Sequence, residues 1–264
     1  MKNLLLSALF LGVALSCSSD DNPNETANND SVLPTTFTTV RDKEIRTVSI
    51  QYDGTKITEA TSSDGIKYFY TYDGDYISKV ASYDQKGNED MLHVFTYNNG
   101  KLIKQVSTEF YSTGEDYIVT SDYSWIDANH AKVKETSNTN HVDLHEYYFT
   151  NGNLTKSTTS TTDGPNTYNR EIIYAYDTNN NPFKNIKGFA ATLDIEYSTN
   201  NMTKKVVKGW TQVGSTISNQ TVDTYDYSLE YNSNKFPTKN VSKYTSGYDN
   251  TTIETSTYTY TYNK

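Results

Sequence analysis

From Val48 onward the chain alternates apolar and polar positions. Val48, Ile50 and Tyr52 share one parity, as do Tyr68, Tyr70 and Tyr72, then His93, Phe95 and Tyr97, and later Ile172, Tyr174 and Tyr176. The parity between them carries Thr71, Thr96, Ser124, Glu196 and Glu230. A period of two built from β-branched and aromatic residues predicts half-buried strands with one face toward water.

Each run ends on an aromatic anchor: Tyr52, Tyr72, Tyr97, Trp125, Phe149, Tyr176, Tyr197, Tyr231 and Tyr262. Turn residues follow most anchors at once, as in Asp53-Gly54, Asp73-Gly74, Asn98-Asn99-Gly100 and Asn232-Ser233-Asn234. Asp, Asn and Gly tolerate the backbone angles of tight hairpins. Five residues past the anchor an apolar residue returns (Ile57, Ile77, Leu102, Leu154, Met202, Phe236), and seven past it there is often lysine (Lys79, Lys104, Lys132, Lys156, Lys204). The chain has turned back. Two strands and two turns per unit predict an all-β fold, a long antiparallel meander of repeated hairpins with roughly 16–18 strands.

Twist accumulates across so many strands, and open edges are costly. The meander is therefore expected to form a curled single-layer or barrel-like sheet whose concave side gathers the Ile, Leu, Phe and Tyr rows. A two-layer packing of the same meander is the alternative. The recurring lysine has the parity of the returning apolar residue, so its stem is expected to lie across an aromatic ring.

Composition sharpens this picture. Only 34% of the 264 residues are hydrophobic, against a usual share of roughly 45–50%. With 24 tyrosines and few leucines, burial must lean on tyrosine, whose hydroxyl still needs a partner. The net charge of −9 with no basic tract argues against nucleic acid as a partner.

The N-terminus reads as an export signal. Lys2 precedes a largely apolar run from Leu4 to Leu15 that is too short to span a bilayer. Ala14-Leu15-Ser16-Cys17 resembles the lipobox of bacterial lipoproteins, although leucine stands two residues before the cysteine and not three. The resemblance implies that Cys17, the sole cysteine, becomes the lipidated first residue and attaches the protein to the outer membrane. The acidic, polar stretch that follows cannot fold by itself, and it resembles the signal that sends some lipoproteins to the cell surface. The expected organisation is a signal peptide over 1–16, an acidic tether over 17–31 and a tyrosine-rich repeat domain over 32–264.

Tyr70-Thr71-Tyr72-Asp73-Gly74 and Phe95-Thr96-Tyr97-Asn98-Asn99-Gly100 resemble the tyrosine–aspartate (YD, Rhs-type) repeat and the tyrosine-rich repeat lipoproteins of bacterial surfaces. The resemblance implies a curled sheet of hairpins and carries no catalytic residues with it. The anchors at Trp125, Tyr197 and Tyr262 lack the aspartate or glycine.

Candidate chemistry is sparse. His141 and His145 would share a helix face, but their neighbours predict a strand, which separates the rings by about 13 Å and leaves them as solvated strand histidines. Asp177 to Asn181 resembles half a calcium loop, with Pro182 and Gly188 where a glycine and a glutamate belong. No metal, cofactor or catalytic group is expected. Trp125 and Trp210, with Tyr72, Tyr97 and Tyr176, are the candidate ligand-binding residues, offering flat apolar area with a polar tip. The expected function is a non-enzymatic surface lipoprotein that binds glycan or protein through a tyrosine-rich sheet face. Alternatives are a structural subunit of an envelope complex, a glycan-active hydrolase and a transmembrane barrel.

Overall fold

A computed structural model describes residues 31–193 and 198–264. Cys17 and the tether up to residue 30 lie outside the described residues, as do the expected anchor Tyr197 and its neighbours 194–196. The strands are β1 (Pro34–Arg41), β2 (Glu44–Asp53), β3 (Lys56–Ser62), β4 (Lys67–Asp73), β5 (Tyr76–Tyr83), β6 (Glu89–Asn98), β7 (Lys101–Glu109) and β8 (Tyr117–Trp125). The second half adds β9 (His130–Ser137), β10 (Val142–Thr150), β11 (Asn153–Asp163), β12 (Asn166–Asn180), β13 (Asn200–Val213), β14 (Thr216–Tyr231), β15 (Pro237–Thr245) and β16 (Thr252–Tyr262). Each strand pairs antiparallel with its sequence neighbours, and β1 pairs with β16 to close a barrel. Closure leaves no free edge, which resolves the edge problem that the meander raised.

One aromatic anchor stands at or near the end of each even-numbered strand, so the anchors form a ring at one end of the barrel. Its hydroxyls reach back to the neighbouring hairpin. Tyr52 donates to the Pro34 carbonyl (2.7 Å), Tyr97 to Ile77 (2.9 Å), Tyr176 to Leu154 (2.7 Å) and Tyr262 to Pro237 (2.7 Å). Trp125 does the same with its indole N–H, 2.9 Å from the Leu102 carbonyl. At these five anchors the repeat staples itself to the preceding hairpin. Burial pushes the hydroxyls of Tyr52, Tyr97 and Tyr262 to higher pKa, keeping them neutral donors. Beneath the ring the returning residues Ile57, Ile77, Leu102 and Leu154 are at most 1% exposed, each stabilising by roughly 1.5–3 kcal/mol.

At the anchors the pairing skips a residue. Tyr52 faces Ile57 but Gln51 faces Glu59, and the same shift recurs at Tyr72, Tyr97, Phe149, Tyr176 and Tyr231. The extra residue is a β-bulge. At Ser78, Thr155 and Thr238 its hydroxyl donates to the carbonyls of Thr71, Tyr148 and Glu230. The bulge inverts the parity on which the lysine expectation rested. Lys79, Lys104 and Lys156 pair with Thr71, Thr96 and Tyr148 and stand on the outer wall, not across the inner rings, although Lys156 Nζ meets an aromatic ring there, 5.6 Å from the Tyr148 centroid. The lysines that cover anchor rings open the returning strands: Lys56, first in β3, lies 5.2 Å from the Tyr72 centroid and Lys101, first in β7, 4.3 Å from that of Trp125.

The ring end is closed by the long β12–β13 connection, whose described part includes a 3-10 turn, Phe189–Thr192. Of the strand expected over Leu193–Tyr197 only Leu193 is among the described residues, and it has a left-handed φ of 49° at the end of that turn. Phe183, Ile186 and Phe189 are buried in the cluster that holds Phe37, Ile50 and Tyr70. Lys187 pins this plug: its N–H donates to Thr55 O (3.0 Å), its carbonyl accepts from Tyr72 (3.2 Å) and its ammonium pairs with Asp75 (2.9 Å). Gly188 follows with φ +73°, and a Cβ there would stand 2.4 Å from the Asp75 carbonyl oxygen.

Candidate functional site: the tyrosine-lined lumen

Above the plug the lumen holds a cavity of about 540 Å³. Asn181, Pro182 and Phe183 contribute to it from the plug, and its wall comes from β13–β16 and β1. Five tyrosines line it: Tyr225, Tyr227, Tyr244, Tyr258 and Tyr260. Their alternation in β14, β15 and β16 turns every second residue inward, which is why one sheet segment gathers so many rings. Tyr225 and Tyr244 face each other across β14–β15 with centroids 5.0 Å apart, and Lys205 Nζ lies 4.9 Å over the Tyr225 ring.

Polar groups punctuate this apolar lining. Asn201, Asn240, Ser242 and Ser256 contribute amides and hydroxyls, and Arg41 and Lys205 contribute positive charge. Among the described residues that line it there is no carboxylate, although the chain as a whole is acidic. Asn240 Oδ1 is buried and has no hydrogen-bond partner. A buried acceptor left open at a cavity wall is costly unless something fills it. Burial raises the pKa of Tyr260, so its ring stays neutral. Tyr244 is raised chiefly by its hydrogen bond to Asp223 (3.0 Å).

The sequence-based candidates fall elsewhere. Tyr72, Tyr97, Trp125 and Tyr176 belong to the anchor ring, where their polar tips are occupied by backbone groups. Trp125 also stacks on Phe149, centroids 5.9 Å apart. Trp210 sits near the opposite end of the barrel, paired with Asn169 beside a register shift. The two tryptophans therefore do not build one site. The signal for the lumen tyrosines was present in the alternation of β14 and β16. What assigns them to a cavity is the plug, which carries no motif.

Two further expectations are resolved by the geometry. Asp177 is a structural hub: its carboxylate accepts from the N–H of Asn179 (2.9 Å) and of Asn201 (3.1 Å) and from the Tyr231 hydroxyl. His141 and His145 flank and occupy β10 as a strand predicts, but only His141 is solvated. His145 is 10% exposed, against 54% for His141, because it points into the lumen beside Glu135.

The outer wall is mixed, with ion pairs set among exposed apolar side chains such as Phe69, Val94, Ile118 and Ile173. Glu171 bridges Lys156 (2.8 Å) and Lys208 (3.0 Å) across three strands. Glu146 meets Lys132 (3.2 Å) and His130 (2.9 Å), and its carboxyl is held down to about 2, first by the Tyr148 hydroxyl. Exposed Leu144 and Val222 share their outward rows with Glu146 and with Thr224 and Asp226, so these rows form no unbroken apolar band.

No family model matches the chain, and no curated protein matches it. Among solved structures it is similar to a porin-like protein from Bacteroides vulgatus, with 14% identity and a TM-score of 0.56 over 88% of this chain and 99% of that one. A porin-like protein from Bacteroides uniformis gives 12% identity and a TM-score of 0.52 over 86% and 96%. The likeness shows the fold, an all-β closed barrel.

Proposed function

We propose that this protein is a lipid-anchored, water-exposed barrel that binds a small saccharide inside its lumen without transforming it. The cavity carries the reading. Tyrosine faces suit sugar rings, and a few convergent polar groups fix orientation, which is the usual make-up of a small-ligand site. The unpaired Asn240 Oδ1 offers an acceptor for a sugar hydroxyl. The positive charge of Arg41 in the lining favours a saccharide that bears an acid group. A folded protein cannot enter a closed lumen, so the concave face serves a small ligand. Glycoside hydrolysis needs two carboxylates about the scissile bond, and the described lining residues include none.

The outer wall favours water over lipid. A lysine or arginine facing the bilayer midplane costs about 2–4 kcal/mol, and Lys67, Lys132, Lys156 and Lys208 all stand on outward rows in ion pairs. Strands β3 and β4 have seven residues each, whereas spanning strands need roughly 9–11. The chain enters the barrel at the plugged end, where Leu33 N–H donates to Asn263 (2.9 Å). A lipid on Cys17 would hold that end toward the outer membrane and leave the far rim, with Arg41 and Ile253, facing away.

Titration calorimetry of the purified protein against neutral and uronic-acid oligosaccharides tests this. Saturable binding is expected, strongest for an acidic sugar and at least tenfold weaker in Asn240→Ala and Tyr258→Ala. Absence of heat across the panel, or binding indifferent to both substitutions, would overturn it.

A further inference from the structure

On the β9–β11 side of the lumen, away from the residues that line the cavity, polar side chains converge that the saccharide reading does not use. Asp143 on β10 is paired directly with Glu135 on β9, and His145 lies two residues further along the same inward row. Like charges placed opposite one another across an antiparallel pair are destabilising. Here two carboxylates face each other inside the barrel, with side chains only 24% and 30% exposed.

The donor atoms of Glu135, Asp143 and His145 all lie within 4.8 Å of one another. His145 Nε2 stands 3.2 Å from Glu135 Oε2, yet that nitrogen is buried and has no partner in hydrogen-bond geometry. The other ring nitrogen is engaged: Nδ1 lies 3.0 Å from Thr159 Oγ1. If Nδ1–H donates to that hydroxyl, Nε2 carries the lone pair and points among the carboxylates, which is how an outer hydrogen bond fixes a ligating histidine. The carboxylates are oriented in the same manner, Glu135 by the Ser121 hydroxyl (2.9 Å) and Asp143 by Thr161.

We propose that Glu135, Asp143 and His145 form a binding site for a divalent first-row transition-metal ion such as Zn²⁺. One imidazole and two carboxylates are a borderline donor set suited to such ions, and the site retains room for water or a fourth ligand. Bonds of about 2.0–2.2 Å in tetrahedral geometry place donors about 3.3–3.5 Å apart, so closure asks for side-chain movement near 1 Å. His141 Nε2, 3.3 Å from Asp143 Oδ1, stands at the solvent side and provides the entry. A bound dication cancels the facing charges and so stabilises the wall between β9 and β11.

The test is equilibrium binding of Zn²⁺ to the purified, chelator-treated protein, with Mg²⁺ as the hard-ion control and Co²⁺ absorption as a readout of nitrogen ligation. One saturable Zn²⁺ per chain is expected, with a rise in thermal midpoint, a Co²⁺ ligand-field band and no competition by Mg²⁺. Affinity should fall at least 100-fold in His145→Ala and in Asp143→Asn, and stay within threefold in His130→Ala on the outer wall. No saturable site in the unsubstituted protein means that His145 and Glu135 are an ion pair only, and overturns the proposal whatever the variants do. Zn²⁺ binding that survives both lumen substitutions, or is lost in His130→Ala, places the metal elsewhere and overturns it equally.

Discussion

Replacing Gly188 by alanine should unseat the plug. Gly188 and Gly74 both have positive φ, +73° and +56°, so alanine at either position costs about 1–2 kcal/mol for the left-handed backbone alone. At Gly74 nothing stands within 4 Å of an added Cβ, whereas at Gly188 the Asp75 carbonyl oxygen is 2.4 Å away and the Ile77 nitrogen 3.0 Å away. Both obstacles are backbone, so the loop must retreat. Phe183, Ile186 and Phe189 are 3–5% exposed, and losing about a third of their burial adds roughly 2 kcal/mol. Gly188→Ala is thus expected to lose about 3–4 kcal/mol, and Gly74→Ala about 1–2 kcal/mol. Urea unfolding followed by intrinsic fluorescence measures both, and limited proteolysis reports whether residues 181–193 become cleavable. Equal losses in the two variants, or a plug that stays protected in Gly188→Ala, would refute the reasoning.

Three other outcomes follow from the same geometry. Tyr176→Phe removes a donor from the Leu154 carbonyl and should cost about 1–2 kcal/mol in urea unfolding, while keeping the barrel; no loss would mean the hydroxyl staple is ornamental. His93 is buried, which lowers its pKa from 6.5 to about 4. Below pH 6.5 the unfolded chain binds a proton that the folded one refuses, so its contribution is intact above that pH. Up to about 3 kcal/mol is lost as pH falls toward 4, and His93→Gln should flatten that limb of the stability profile. Glu171→Gln on the outer wall should change stability by less than about 1 kcal/mol, with salt reducing the difference; a large, salt-independent loss would argue against a water-exposed wall.

Much of the fold was legible because period-two alternation and turn chemistry act locally. Val48, Ile50 and Tyr52 followed by Asp53-Gly54 specify a strand and a hairpin without reference to the rest of the chain. The bulge was not legible, since Thr58 or Ser78 in a strand looks like any polar position, and one unpaired residue sends Lys79 to the other face. The plug was masked by resemblance to the repeat: Tyr197 falls on the aromatic spacing, yet residues 183–189 fold inward to bury Phe183 and Phe189. Closure of β1 on β16 joins residues more than two hundred positions apart, and no local signal encodes it. The lumen tyrosines were visible as strand residues, while their shared cavity depends on that closure. Likewise Asp143 and His145 share a row in the sequence, but Glu135 joins them only through the β9–β10 register.

The most direct test of the central claim is a crystal structure of the purified protein with the tightest-binding oligosaccharide from the calorimetric panel. Sugar density in the lumen, stacked on Tyr227 or Tyr258 with a hydroxyl on Asn240 Oδ1 and the acid group toward Arg41 or Lys205, is the predicted result. A lumen that stays closed to the sugar while density lies on the outer wall or along the anchor ring would contradict it.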